Sequence, residues 1–249
     1  MQVTNDRNVI YLRVSQPVPL GPESDRLAGQ IVDACRDIRE SSDRPVAIAL
    51  IGLGQAFCVL PPASTADCDA AGSAWSEATS AIADLKPPTV AVLGGDAIGP
   101  ALELAQACDL RIATASARVG APEVRFGRIP SAGGTQRLAR AVGRATALRM
   151  LLLGDELTAS EAMDQGLLHR VAAVDALEAA AEEMLDMLRA GAPIALAYTK
   201  EAIRSGSELP LTAGLVLEAD LAALLQTTAD RAEGIRAFKE RKLPRFEGR

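Results

Sequence analysis

The chain has 249 residues, of which 49% are hydrophobic and only 3% aromatic, so it can bury a sizeable, mainly aliphatic core in one large domain. Its net charge of -6 argues against general binding to nucleic acid or to anionic membranes. The four cysteines are widely spaced and there is a single histidine, which predicts a reduced, intracellular protein without a structural metal site.

The N-terminus carries no pattern of a targeting segment. The stretch MQVTNDRNVIYLRV has no basic flank followed by an apolar block. The longest apolar runs, such as residues 46–51, are far shorter than a membrane span. We therefore expect a soluble, cytoplasmic protein that does not enter a membrane.

The first part of the chain alternates predicted strands and helices. β-Branched and aromatic residues predict a strand at 9–14, and a continuous apolar run predicts a buried strand at 46–51. Between them, apolar residues at three- and four-residue steps predict a helix at 25–40 that Ser24 caps. A loop containing adjacent prolines and a weak helix at 70–85 follow. This alternation, which has no fixed repeat, indicates a mixed α/β core.

Residues 89–130 contain the two carboxylates around which the rest of the chain is organised. A predicted strand at 89–93 runs into a glycine turn and then into the start of a helix that carries Glu103. A second predicted strand at 110–113 is followed by small residues and by Glu123 in the sequence GAPE. Because each glutamate follows a strand end, we expect the two carboxylates to face one site.

The second half of the chain is mainly helical. Gly143 separates two predicted helices, and Gly154 ends the second of them. The segment TASEAMDQ predicts a short capped helix, because Thr158 and Glu161 complete a capping box. A last short strand is expected at 166–171. Four further helices are predicted at 176–189, 194–205, 211–225 and 228–241.

Several motifs occur together in a characteristic order. Three segments follow one another along the chain: GGDAIGPALELA, GAPEVRFGRIPSAGGTQRL and GDELTASEAMDQGLLHRV, with weaker likeness in GQAFC and DRAEGIRAFKERKLPRF. On these motifs the chain resembles the enoyl-CoA hydratase/isomerase family, the crotonases. The resemblance implies a crotonase-like α/β fold, with a spiral of stacked strand-strand-helix units in residues 1–190. It implies that residues 191–249 form a helical C-terminal region that packs homotrimers or a dimer of trimers.

The resemblance also implies a chemistry. Crotonases act on acyl-CoA thioesters, with coenzyme A as part of the substrate, no separate cofactor and no metal. Adding water across the 2,3-double bond needs a base that activates water and an acid that protonates the α-carbon, which two glutamates can divide between them. In hydratases of the family the two acids stand at positions that Glu103 and Glu123 match. Both being present favours an enoyl-CoA hydratase, a lyase typical of fatty acid metabolism. Without the family framework, Glu103 would be read as complementing a helix N-terminus and Glu123 as a solvated loop residue.

One feature departs from the family pattern. Crotonases hold the thioester oxygen with two backbone N–H groups, and the matching positions here are Pro61 and Pro100, which have no N–H to donate. Loss of one such donor costs about 3 to 4 kcal/mol of transition-state stabilisation. Pro100 also suits the first turn of a helix, where Ala101 and Leu102 still offer N–H groups. A one-residue shift would therefore restore half of the oxyanion site.

Contacts to the coenzyme A moiety are expected in two places. The backbone around Ala56 and Cys58 is predicted to receive the adenine and pantetheine. Lys239 and Lys242 are candidate partners for its phosphates, from the same or a neighbouring subunit, although a charge cluster on a C-terminal helix is more often solvated surface.

Other reactive residues rank lower as candidates. Cys58 and Cys68 have no histidine near them in sequence, and His169 lies in a predicted strand. The glycines of the GGTQ segment lack the lysine of a phosphate loop and are expected to let a helix pack closely.

Three functions therefore stay open. The first is an enoyl-CoA hydratase with the glutamate pair as acid and base. The second is a crotonase-fold protein that binds acyl-CoA with weak or lost activity, because prolines replace the oxyanion donors. The third keeps catalysis but changes the reaction to isomerisation or hydrolysis.

Overall fold

A computed structural model describes residues 1–14, 22–41, 43–52 and 68–249. In these ranges a six-stranded sheet forms the centre of the molecule, in the order β1-β2-β3-β4-β6-β9. Strands β1 and β2 pair antiparallel, and every other neighbouring pair in this sheet is parallel. The strands span Gln2–Asp6, Val9–Val14, Ala47–Gly52, Thr89–Leu93, Leu110–Thr114 and Arg170–Ala172.

A second, three-stranded sheet lies in the order β5-β7-β8 and spans Ala97–Ile98, Arg118–Gly120 and Glu156–Thr158. β5 and β7 pair in parallel, with Ile98 opposite Gly120, whereas β7 and β8 pair antiparallel. The two-residue strand β5 occupies the place where the sequence predicted only a glycine turn.

The main sheet is covered on both faces, as the continuous apolar run of β3 predicted. Alternate residues of β3 point to opposite faces: Leu50 packs in the larger cluster with helices α1 and α2, and Ala49 packs in the smaller cluster with helix α6. These helices span Pro22–Glu40, Cys68–Ala83 and Leu177–Arg189. Both faces of the central strands are therefore buried from solvent.

Three further helices come after β5 along the chain. They are α3 (Pro100–Ala107), α4 (Gly134–Leu153) and α5 (Ala159–Asp164). Gly143 breaks α4 with φ 76° and ψ 163°, which confirms the predicted division into two segments. Thr158 caps α5 through the predicted capping box with Glu161.

Two local predictions were wrong. Ser24 does not cap α1, because the helix already begins at Pro22 and Ser24 is buried within its first turn. The strand expected at 166–171 is shorter, since β9 begins only at Arg170. Leu167 and Leu168 instead donate their backbone N–H groups to the carbonyl of Ala162, closing the end of α5.

The chain ends in three helices, α7 (Pro193–Gly206), α8 (Leu211–Leu225) and α9 (Ala229–Glu240). Lys200 of α7 fixes this region to the sheet, because its Nζ lies 2.7 Å from Asp109 Oδ2 and 3.1 Å from the carbonyl of Pro87. Helix α8 is apolar, yet only Leu221 in it is buried, and Leu211 is 78% exposed. The division into a core at 1–190 and a trimerisation region at 191–249 stays a prediction.

Within the described ranges, no helix combines the length and the apolar character needed to cross a membrane.

Candidate active site

The two sequence-predicted glutamates follow neighbouring parallel strands of the small sheet. Glu103 lies in the first turn of α3, directly after β5. Glu123 begins a short 3-10 helix, Glu123–Phe126, directly after β7. The backbone N–H of Gly99 donates to the carbonyl of Gly120 at 2.8 Å, which joins the two strand ends just before the glutamates. The carboxyl ends of β5 and β7 therefore bring both side chains to one edge.

Glu103 is buried, and backbone N–H groups of a loop donate hydrogen bonds to its carboxylate. Its side chain is 3% exposed, and its Oε1 accepts hydrogen bonds from the N–H groups of Ala132 at 2.8 Å and Gly134 at 2.7 Å. Burial raises the pKa of Glu103 above its ordinary value, while the backbone N–H groups of Gly134, Ala132 and Ser131 oppose that rise. The donors stabilise the ionised carboxylate inside the protein.

Glu123 has the opposite environment. Both of its carboxylate oxygens are buried, and neither has a hydrogen-bond partner within the described part of the chain. Burial raises the pKa of Glu123 to about 7, although its own backbone N–H, outside hydrogen-bond geometry, opposes the rise. The negative charge of Glu103 raises this pKa further. At neutral pH Glu123 can therefore hold a proton that it is able to give up.

The start of α3 lies against the Glu123 carboxyl group. A Cβ atom at Gly99 would lie 3.0 Å from Glu123 Oε1, and Gly99 has φ +61°. Both facts favour glycine here, because a side chain would crowd the carboxyl group and the backbone is left-handed. The N-terminus of α3 and the Glu123 carboxyl group are therefore close neighbours.

Pro100 is the first residue of α3, as the sequence predicted. It has no N–H, and the N–H of Gly99 is already donated to Gly120. Ala101 and Leu102 are the next residues of α3. Their N–H groups have no carbonyl four residues earlier in the helix to which they could donate. Any oxyanion stabilisation from this end of α3 must therefore come from those two residues and from the helix dipole.

The sequence did not identify the loop that holds Glu103. The GGTQ segment was expected to allow close packing, and a Cβ at Gly134 would indeed lie 2.8 Å from Pro130 Cβ and 2.9 Å from Glu103 Oε1. What the sequence missed is that Ala132 and Gly134 use their N–H groups to bind a carboxylate. The available signal was the position of these residues at the start of a long helix, where N–H groups bind anions.

Only some of the residues predicted to contact coenzyme A lie within the described ranges. Ala56, Cys58 and Pro61 lie outside the described residues. Lys239 and Lys242 are exposed at the end of α9, and Lys242 Nζ lies 3.1 Å from Glu240 Oε2. The structure does not bring either lysine into contact with the glutamates in one copy of the chain.

The remaining nucleophile candidates have structural surroundings. His169 Nδ1 accepts the backbone N–H of Arg111 at 3.1 Å, and the His169 N–H donates to the carbonyl of Arg111 at 2.9 Å, so His169 extends the pairing of β9 with β6. Burial raises the pKa of the Cys35 and Cys108 thiols to about 12, which suppresses the reactive thiolate. Cys58 lies outside the described residues, and so does the Cys68 side chain. Among the described residues, no group of three or more His, Cys, Asp and Glu side chains could hold a metal ion.

Comparison with known proteins identifies the family. A model of the enoyl-CoA hydratase/isomerase family matches residues 4–249. The chain belongs to that family. It is 32% identical over 258 residues to 2,3-dehydroadipyl-CoA hydratase from Escherichia coli, covering 99% of this chain and 98% of that protein. It is also 32% identical over 257 residues to (E)-benzylidenesuccinyl-CoA hydratase from Thauera aromatica, covering 100% of this chain and 98% of that relative.

Solved structures agree with this assignment. The crystal structure of an enoyl-CoA hydratase from Bacillus anthracis superposes with a TM-score of 0.89 at 30% identity, covering 100% of this chain and 99% of the other. A second, from Geobacillus kaustophilus, has a TM-score of 0.88 at 29% identity and covers 100% of this chain and 98% of the other. The predicted crotonase-like α/β fold is therefore confirmed.

Proposed function

We propose that this crotonase-family protein is an enoyl-CoA hydratase, a lyase that adds water across the 2,3-double bond of an acyl-CoA thioester. The observation that carries the proposal is the contrast between two buried carboxyl groups at one edge of the small sheet. Glu103 is held by N–H donors that favour its charge, whereas Glu123 has no such donor among the described residues and a pKa raised to about 7. Neighbouring groups whose environments differ in this way suit a base and an acid.

The different surroundings of Glu103 and Glu123 assign each of them a role in the reaction. The Glu103 carboxylate removes a proton from a water molecule as the water oxygen bonds to the β-carbon of the enoyl thioester. The electron pair of the double bond moves toward the thioester oxygen, and protonated Glu123 gives its proton to the α-carbon. Glu103 ends protonated and Glu123 ionised, so one proton must pass from Glu103 to Glu123, or exchange with solvent, before the next turnover.

The assay uses crotonyl-CoA as the substrate. Hydration removes the conjugated double bond, so its rate is read from the loss of the enone absorbance. We expect turnover in the unaltered protein and its loss by about a hundredfold or more in Glu103→Gln and in Glu123→Gln, since each variant lacks one proton-transfer group. A folded protein with no rate above buffer would remove the hydratase assignment.

A second candidate function is favoured by Pro100. Because this proline leaves the start of α3 without its first N–H, the protein would bind acyl-CoA with weak or no turnover. Calorimetric binding of crotonyl-CoA without hydration would support this alternative. An isomerase would show a third result: turnover of a 3-enoyl-CoA that persists in Glu103→Gln and vanishes in Glu123→Gln, because one base then suffices.

Further features of the proposal concern assembly and substrate. The exposed apolar surface of α8 is consistent with packing against other copies in a homotrimer or a dimer of trimers, which sedimentation would test. In such an assembly Lys239 and Lys242 would meet the phosphates of coenzyme A bound to a neighbouring copy. The charge-reversed pair Lys239→Glu and Lys242→Glu should then raise KM for crotonyl-CoA and leave kcat nearly unchanged.

A further inference from the structure

The loop that binds Glu103 is itself supported by a cation, Arg137. This loop, residues 131–134, leads into α4, and Arg137 lies in the first turn of that helix. Arg137 Nη1 donates to the carbonyl of Ala132 at 2.8 Å. Ala132 therefore accepts a hydrogen bond from Arg137 through its carbonyl while its N–H donates to Glu103. The peptide units on the two sides of Ala132 connect the guanidinium group to the carboxylate.

The guanidinium group packs directly against the loop backbone. A Cβ atom at Gly133 would lie 2.3 Å from Arg137 Nη1, and Gly133 has φ +100°. Glycine is favoured here for the backbone conformation, and a side chain at this position would displace the guanidinium group from the loop. No carboxylate of the described residues lies close enough to Arg137 to form an ion pair. Its charge is therefore not neutralised by direct contact.

Several charged groups surround this arrangement. The charge of Glu103 raises the pKa of Glu123, and the positive charge of Arg137 lowers the pKa of Glu103. Arg137 in turn is influenced by Arg204 of α7, by Asp84 after α2, and by Cys108 after α3. Arg204 pairs with Asp84 at 2.5 Å, so this second cation already has a carboxylate partner. Arg137 is left as the cation that acts on Glu103.

We propose that Arg137 is a positioning residue that fixes the loop at 131–134 and keeps the Glu103 carboxylate charged, so that Glu103 serves as the base. The inference rests on the proposed function for its catalytic meaning. The effect on the charge of Glu103 is a property of the folded protein and can be measured without turnover.

The structure offers a matched control for the hydrogen bond. Thr79 is buried, and its hydroxyl proton is shared between the same carbonyl of Ala132, at 3.1 Å, and the carbonyl of Ser76, at 3.0 Å. Thr79→Val removes a donor from this carbonyl and keeps the positive charge. Arg137→Gln removes the charge and keeps a side chain that can donate. The two variants therefore separate support of the loop from stabilisation of the charge.

The first measurement is a carbon-13 NMR titration of the glutamate carboxyl groups, in which the Glu103 resonance is identified by its absence in Glu103→Gln. We expect the titration midpoint of Glu103 to rise by about one pH unit in Arg137→Gln and to stay near the wild-type value in Thr79→Val and Arg137→Lys. Equal shifts in Arg137→Gln and Thr79→Val would overturn the proposal, because Arg137 would then only support the loop. So would an unchanged midpoint in Arg137→Gln.

The second measurement is the pH profile of kcat/KM with crotonyl-CoA. The acidic limb should move to higher pH in Arg137→Gln and return toward the wild-type position in Arg137→Lys. If Arg137→Gln does not fold, Arg137→Met is used in both measurements with the same criteria, and circular dichroism establishes folding. An inactive wild-type protein would refute the hydratase proposal only, since the NMR midpoint still decides the role of Arg137.

Discussion

Replacing Pro100 by alanine should increase the rate of hydration. Alanine at the first position of α3 restores the backbone N–H that proline lacks, and it adopts the same helical conformation without strain. The new N–H would point out of the helix N-terminus, beside Glu123, since a Cβ at neighbouring Gly99 would lie 3.0 Å from Glu123 Oε1. There it can donate to the thioester oxygen as negative charge builds on it.

The size of the gain follows from the donors already present. A well-aligned oxyanion donor contributes about a hundredfold to a thousandfold in rate. Gly99 cannot supply this bond, because its N–H donates to Gly120 at 2.8 Å, but Ala101 and Leu102 already offer part of the stabilisation. We therefore expect kcat/KM for crotonyl-CoA to rise by about tenfold to a hundredfold in Pro100→Ala. Stability should fall by about 0.4 to 1 kcal/mol, because proline restricts the unfolded chain.

The control is Pro193→Ala. Pro193 is also the first residue of a helix, α7, so the substitution restores the same kind of N–H and has a similar effect on the unfolded chain. Activity should be unchanged in this variant. If Pro100→Ala is folded and its kcat/KM equals that of the wild type, position 100 does not face the thioester oxygen, and the explanation of weak activity by proline is refuted.

Three further predictions concern Glu123, two glycines and the cap of helix α5. Because the pKa of Glu123 is raised from 4.5 to about 7, its contribution to stability is complete below pH 4.5 and is lost as pH rises toward 7. Urea unfolding of Glu123→Gln should therefore show a gain over wild type that grows by roughly 3 kcal/mol between these pH values, and a constant difference would contradict the raised pKa. Gly134→Ala should reduce both stability and hydration, since its Cβ would lie 2.9 Å from Glu103 Oε1, whereas Gly29→Ala, with nothing within 4 Å, should stabilise α1 by about 1 kcal/mol. Thr158→Ala removes the N-cap of α5 and should lower the free energy of unfolding by about 1 kcal/mol without changing kcat; an unchanged urea midpoint would contradict the capping role.

Local signals in the sequence were sufficient for most of the fold. The apolar runs at β3 and β4, the break at Gly143 and the capping box of α5 depend on neighbouring residues, so periodicity and turn chemistry identified them. The failures occurred where tertiary contacts decide. Strand β5 has two residues and exists because β7 pairs with it, and no local pattern specifies so short a strand.

The candidate site shows the same division. The sequence by itself determined which two carboxylates follow strand ends and that proline stands at position 100, because these facts depend on residue type and order alone. Only the tertiary structure decided what each carboxylate meets. Glu103 receives N–H groups from a loop 29 and 31 residues further along the chain, and Glu123 receives none from the described residues. A pKa depends on burial and on partners in space, so the difference between the two glutamates arises only when the chain has folded.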